Sequence, residues 1–193
     1  MVNTIIIAVV ALVIIFMLYS CYVQVIQKKN KVKEAFAGID VQLKKRYDLI
    51  PNVLSTANKF MEHETTLIED VTKLRTQALG IKSDFETMKD KIKIESDFQS
   101  KFGQLIVAAE NYPQLKSNET MVQAMQTLAE TEEHIAAARR FYNAAVLDLN
   151  NAVEIFPSSL FASSMGLSTL PFFEITDEKE KAPINANSYF TAK

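Results

Sequence analysis

Two groups of residues in this chain could do acid–base chemistry: the adjacent His63 and Glu64, and the pair Glu132 and Arg139, beside which Asn143 and Asn150 repeat at the same interval. Histidine beside a carboxylate is a minimal general acid–base pair. Glu132 and Arg139, seven residues apart, fall on one face of a helix. Such groups also need a nucleophile, metal or cofactor to act with, and the sequence offers none. It has no phosphate-cradling Gly-rich loop, dinucleotide fingerprint, Gly-x-Ser-x-Gly elbow or His-Glu-x-x-His helix. Di-metal bundles take Glu-x-x-His repeats from two helices, and these do not occur; His134 follows Glu133 on an outer face. One cysteine excludes a disulfide framework and a Cys-based zinc site. No cofactor or metal is expected, and the chain is read as a non-enzyme.

The same residues have a plainer meaning. Glu132 stands where its helical stripe calls for an apolar side chain, Arg139 follows seven residues on, and Glu64 takes a core-like place in an earlier stripe. A buried charge is costly unless paired, so these positions imply partners across a helical bundle. Asp40, Arg46, Asp48 and Asn52, close to Pro51, are the candidates. With His63, Glu64, Glu132, Arg139, Asn143 and Asn150 they are expected to form a structural polar network that fixes helix register. Met121, Met125 and Met165 are read as gap-filling core.

The elements that must carry these residues are long helices. Apolar residues recur at helical spacing through Val32, Phe36, Ile39, Leu43, Tyr47 and Ile50, then Val53, Ala57, Phe60, Leu67, Val71, Leu74 and Ala78. The phase holds through Pro51. Proline is tolerated only in a first turn or at a bend, and the unbroken phase favours a kink over two helices capped at Asp48. Gly80 is taken as a C-cap and Ser83 as the next N-cap. A second stripe runs from Phe85 to Tyr112, ended by Pro113. A third starts at Asn118 and closes at Phe156-Pro157. The expected fold is all-α: an N-terminal transmembrane helix continuing into an antiparallel bundle of long helices. One helix from Val2 to Gly80 would reach about 115 Å.

No charged side chain occurs from Met1 to Gln27. Ile5–Ile26 supplies the roughly 20 apolar residues that cross a bilayer core, with Tyr19 and Tyr22 at interfacial depth. Lys28, Lys29, Lys31 and Lys33 follow at once, and Lys28–Arg46 holds seven positive and two negative side chains. The positive-inside tendency then puts the N-terminus outside and the body in the cytoplasm, in a single pass. The alternative is a lipoprotein anchored at Cys21, since Leu18-Tyr19-Ser20-Cys21 loosely matches a lipobox.

The whole chain has 193 residues, with 21 Lys+Arg against 23 Asp+Glu and a net charge of −2, which argues against nucleic acid as a partner. The expected organisation is an anchor over 1–27, a cytoplasmic bundle over 28–157, an apolar segment over 158–174 and a disordered tail over 175–193. The segment either packs on the bundle or makes a contact with another copy or with lipid, through Leu160, Phe161, Leu167, Phe172 and Phe173.

The chain resembles the LemA family of small bacterial membrane proteins. The resemblance lies in Ile39-Asp40-Val41-Gln42-Leu43-Lys44-Lys45-Arg46-Tyr47-Asp48-Leu49-Ile50-Pro51-Asn52, His63-Glu64 and Tyr112-Pro113-Gln114-Leu115-Lys116-Ser117-Asn118. It continues through Thr131-Glu132, Arg139, Tyr142-Asn143, Asn150, Phe156-Pro157 and Phe172-Phe173-Glu174. It implies a membrane helix followed by a helical bundle, with no established enzymatic activity, and some members carry a lipobox instead of the anchor. The resulting expectation is a membrane-bound, homo-oligomeric scaffold, or alternatively an adaptor for another membrane protein such as a sensor kinase or protease. Hydrolysis at His63 and Glu64 is the weakest reading.

Overall fold

The computed structural model describes residues 1–82 and 86–173. Along them run α1 (Val2–Ala57), α2 (Thr65–Gly80), α3 (Met88–Ala109), α4 (Pro113–Lys116), α5 (Glu119–Glu154) and α6 (Ser158–Ser164), and no strand occurs among the described residues. The fold is all-α. The tail over 175–193, Ser83 and Phe85 lie outside the described residues.

Four helices make the bundle, alternating in direction. α1 packs chiefly on α5, and α2 chiefly on α3. Lys31 pairs with Asp148 at 3.4 Å while Arg46 reaches Glu132 at 3.0 Å, so α1 and α5 are antiparallel. Residue 40 meets residue 91 and residue 47 meets residue 98, so α3 runs parallel to α1. The core repeats every seven residues. Met121, Leu128, Ile135, Tyr142 and Leu149 of α5 are buried, as are Val25, Val32, Ile39 and Val53 of α1. A seven-residue apolar repeat keeps one seam facing inward on helices that cross at shallow angles.

The expected single helix from Val2 to Gly80 is corrected: α1 stops at Ala57 and spans about 84 Å. Asn58–Glu64 turns the chain back, with Met61 fully buried inside the turn. The apolar stripe had bridged this turn because Phe60 and Leu67 are seven residues apart, about two helical turns, so the phase survives the reversal. A continuous helix would have had to bury Glu64 at that gap.

Within α1, Pro51 does not end the helix. Lacking an N–H, it leaves the carbonyl of Tyr47, four residues earlier, without its intrahelical donor. Arg75 of α2 supplies the missing bond, its Nε donating to the Tyr47 carbonyl at 2.6 Å. Gly80 is not a left-handed cap; among the described residues that conformation belongs to Gly166, φ +66°. There the Leu167 N–H bonds to the Ala162 carbonyl at 2.9 Å and the Gly166 N–H to Ser163 at 3.0 Å, the double bond of a Schellman motif that closes α6. Asn118 caps α5, its side chain accepting from the Met121 N–H at 3.1 Å.

Residues 1–19 of α1 are exposed along their whole length, and this helix is long and apolar enough to span a membrane. The bundle covers α1 only from Ser20 onward.

Candidate functional site

The bundle's most distinctive site is a buried charged layer. Arg46 falls on the α1 repeat of Val25, Val32, Ile39 and Val53. Glu95 falls on the α3 repeat of Met88, Phe102 and Ala109. Glu132 and Arg139 fall on the α5 repeat of Met125, Val146 and Val153. Three helices thus place ions at apolar positions, at the same height.

Arg46 and Glu95 are each 1% exposed and form an ion pair. The Tyr47 hydroxyl donates to the other oxygen of Glu95. Arg139 donates to Glu95 at 3.1 Å and to the Gln99 carbonyl oxygen at 3.1 Å. Arg46 also donates to Glu132 at 3.0 Å, and that carboxylate is 41% exposed. Two guanidinium and two carboxylate charges therefore balance. Arg46 lies 4.8 Å from the Phe98 ring centroid and 5.4 Å from that of Tyr47, and Arg139 is 5.6 Å from Phe173. Burial works against the Arg46 charge, but Glu95 and Glu132 outweigh it and hold the guanidinium protonated more firmly than in water. Burial, reinforced by the Glu95 carboxylate, pushes the Tyr47 hydroxyl well above the usual phenol range.

A groove of about 570 Å³ opens beside this layer, lined by Glu95, Gln99, Arg139, Phe172 and Phe173 among others. Glu95 at its edge already accepts from Arg46, Arg139 and Tyr47, so its carboxylate is committed to internal donors and is poorly placed as a general base. Among the described residues no group of three His, Cys, Asp or Glu side chains is arranged to hold a metal ion.

A second polar feature clamps the C-terminal segment. After α6 the chain runs back along α5 in extended form. The Asn150 side chain accepts from the Leu170 N–H at 2.9 Å and donates to its carbonyl at 3.0 Å. Asn143 does the same for Phe173, at 2.8 and 2.9 Å. Pro171, between them, has no N–H, and its carbonyl accepts from the Tyr142 hydroxyl at 3.2 Å. Burial pushes that hydroxyl up to about 12.

Of the residues expected in one polar network, the structure brings Arg46, Glu132 and Arg139 together around Glu95. Asp40 lies apart, paired with Lys91. Asn143 and Asn150 serve the clamp. Asp48 is corrected to the surface, where it pairs with Lys44 one turn away at 3.1 Å. Asn52 and His63 are also exposed, and Glu64 is half-buried at the head of α2. The apolar repeat turns these positions outward, where water solvates them without cost. Phe173, expected as a contact residue, is buried in its own bundle, edge-on to Tyr142 at 5.3 Å. Phe161 and Leu167 are half-buried, while Leu160 and Phe172 are exposed. Lys28 and Lys29 are half-buried; Lys31 and Lys33 are exposed.

Sequence reasoning missed Glu95, Tyr47, Gln99 and Arg75. Glu95 had a signal: the α3 stripe jumps from Ile92 to Phe98, and Glu95 fills the vacant core position.

A family model described as the LemA family matches residues 35–186. Protein LemA of Metamycoplasma hominis is 21% identical over 154 residues, covering 80% of this chain and 69% of that protein. Magnetosome proteins MamQ 2 and MamQ 1 of Paramagnetospirillum magneticum are each 30% identical over 80 residues, covering 42% of this chain. The matched stretch spans only 29% of their length.

Proposed function

The chain belongs to the LemA family, and from that premise we propose that it is a membrane-anchored, non-enzymatic scaffold that self-associates at the cytoplasmic face of a bacterial membrane. The observation that carries this reading is the continuity of α1. One helix provides both the bare apolar stretch over residues 1–19 and a buried wall of the bundle, with no linker between them. A rigid join of this kind presents a surface at fixed height and angle, which suits assembly. The internal pairing of the charged layer supports the same view, since its polar groups are spent on holding helices.

The self-contact falls on the outer face of α5, where Phe141, Ala144 and Leu147 are spaced by three residues and exposed. The 158–174 segment contributes less, because Leu170 and Phe173 are consumed in cis. Lys28, Lys29, Lys31 and Lys33 supply the orientation. Size measurement of the full chain in mild detergent, with cross-linking in membranes, tests the reading. A defined oligomer that Phe141→Glu with Leu147→Glu disperses, without loss of helicity, is expected. A monodisperse monomer at micromolar concentration overturns it, and a stoichiometric partner of different sequence favours an adaptor instead.

A further inference from the structure

The corner between α5 and α6 exposes three large apolar side chains: Ile155 at 58%, Phe156 at 75% and Leu160 at 61%. Phe156 is more exposed than Phe16, at 67%, within the apolar stretch of α1 itself. No Asp, Glu, Lys or Arg occurs between Glu154 and Glu174. A patch of this kind needs something to cover it.

Its position says what that is. α6 packs against the end of the apolar stretch, with the Phe161 ring edge-on to Tyr22 at 6.1 Å. Val25 of α1 is sealed by Ala152 of α5 and Ala162 of α6, with Phe161, Met165 and Leu167 around them. A helix starting at Ile5 covers a hydrocarbon core of about 30 Å by Gln24, so Tyr22 lies within one turn of that boundary. Because α1 is unbroken, the corner beside Tyr22 is held at the same depth. Aromatic and aliphatic side chains at that depth partition into the headgroup boundary, and Lys28 and Lys29 follow one turn beyond Gln24, at the depth of lipid phosphates on the same reading.

We propose that Ile155, Phe156 and Leu160 form an apolar foot that inserts into the lipid interface beside α1, giving the bundle a second point of membrane contact. This rests on the reading that residues 5–26 cross a bilayer. Two contacts fix the bundle's tilt and rotation, where one helix alone leaves both free.

The chain contains no Trp, so single-tryptophan variants report cleanly. Phe156→Trp, Phe16→Trp and Phe141→Trp are each made in the full chain. Each is reconstituted into phosphatidylcholine–phosphatidylglycerol vesicles with brominated acyl chains, with circular dichroism confirming unchanged helicity. The foot predicts that Phe156→Trp, like Phe16→Trp, loses about half its emission or more, while Phe141→Trp keeps nearly all of it. Quenching at Phe16→Trp but not at Phe156→Trp overturns the foot and leaves the anchor standing. Quenching at neither site removes the anchor, and the foot with it. A blue-shifted but unquenched Phe156→Trp assigns the patch to a second copy and also overturns the proposal.

Discussion

Glu95 accepts from two guanidinium groups and a phenol, and this concentration of donors on one carboxylate decides what each charged residue is worth. Removing one partner of a buried pair leaves the other uncompensated. Glu95→Ala, which takes from Arg139 its carboxylate partner and leaves Arg46 with the half-exposed Glu132 alone, is expected to cost about 3–5 kcal/mol in chemical denaturation of the bundle. Glu132→Ala removes a partner that water already reaches and is expected to cost about 1 kcal/mol or less. A loss of about 1 kcal/mol or less at both positions would mean that the layer is solvated. The phenols add a pH prediction. Tyr142 is raised from 10.0 to about 12, so the folded state favours its protonated form. Its contribution is complete below pH 10 and is lost as pH climbs from 10 towards 12. Tyrosinate absorbance followed alongside helicity should show a late-titrating class whose ionisation coincides with unfolding. In the sequence, Glu132, Arg139 and Arg46 stood out as polar residues near or on apolar stripes. The carboxylate that joins the two arginines did not, because Glu95 is brought to them by a separate helix and its vacancy in the stripe is a single position.

Between α1 and α2, one hydrogen bond repairs a defect that the sequence had created. Pro51 removes a donor, and Arg75 replaces it across the helix pair. A bond from a charged donor is worth about 1.5–3 kcal/mol, so Arg75→Met should destabilise the bundle by an amount in that range. Pro51→Ala returns an N–H to the Tyr47 carbonyl at an exposed position. In that background Arg75→Met should cost markedly less, and a double-mutant cycle in urea measures the difference. Strict additivity would show that the Arg75 bond is incidental. At this scale the periodicity made helix type and facing legible. It did not reveal the turn at Asn58–Glu64, because a reversal after a whole number of turns leaves the hydrophobic phase intact. The helix-closing glycine was misplaced for a related reason: Gly80 and Gly166 both follow apolar runs, and only the backbone shows which of them is left-handed.

At the scale of the whole molecule, the proposed orientation rests on the charge asymmetry around the apolar stretch. Moving Lys28, Lys29, Lys31 and Lys33 ahead of Ile5 should invert or scramble insertion, read by protease protection of the bundle in sealed vesicles. An unchanged protection pattern would assign orientation to some other signal. The all-α architecture and the anchor-to-bundle continuity could be read from composition and stripe, whereas the fate of 158–174 could not. Its apolar residues fit a cis or a trans partner equally well until Asn143 and Asn150 are seen gripping peptide groups rather than each other. That grip behaves as a vernier. Seven residues of helix and three of extended chain both measure about 10 Å, so the two scales coincide at Asn150 with Leu170 and again at Asn143 with Phe173. Adding or deleting one residue between the two marks offsets the scales by about 3.3 Å, more than a hydrogen bond can stretch, and only one of the graduations can then be met.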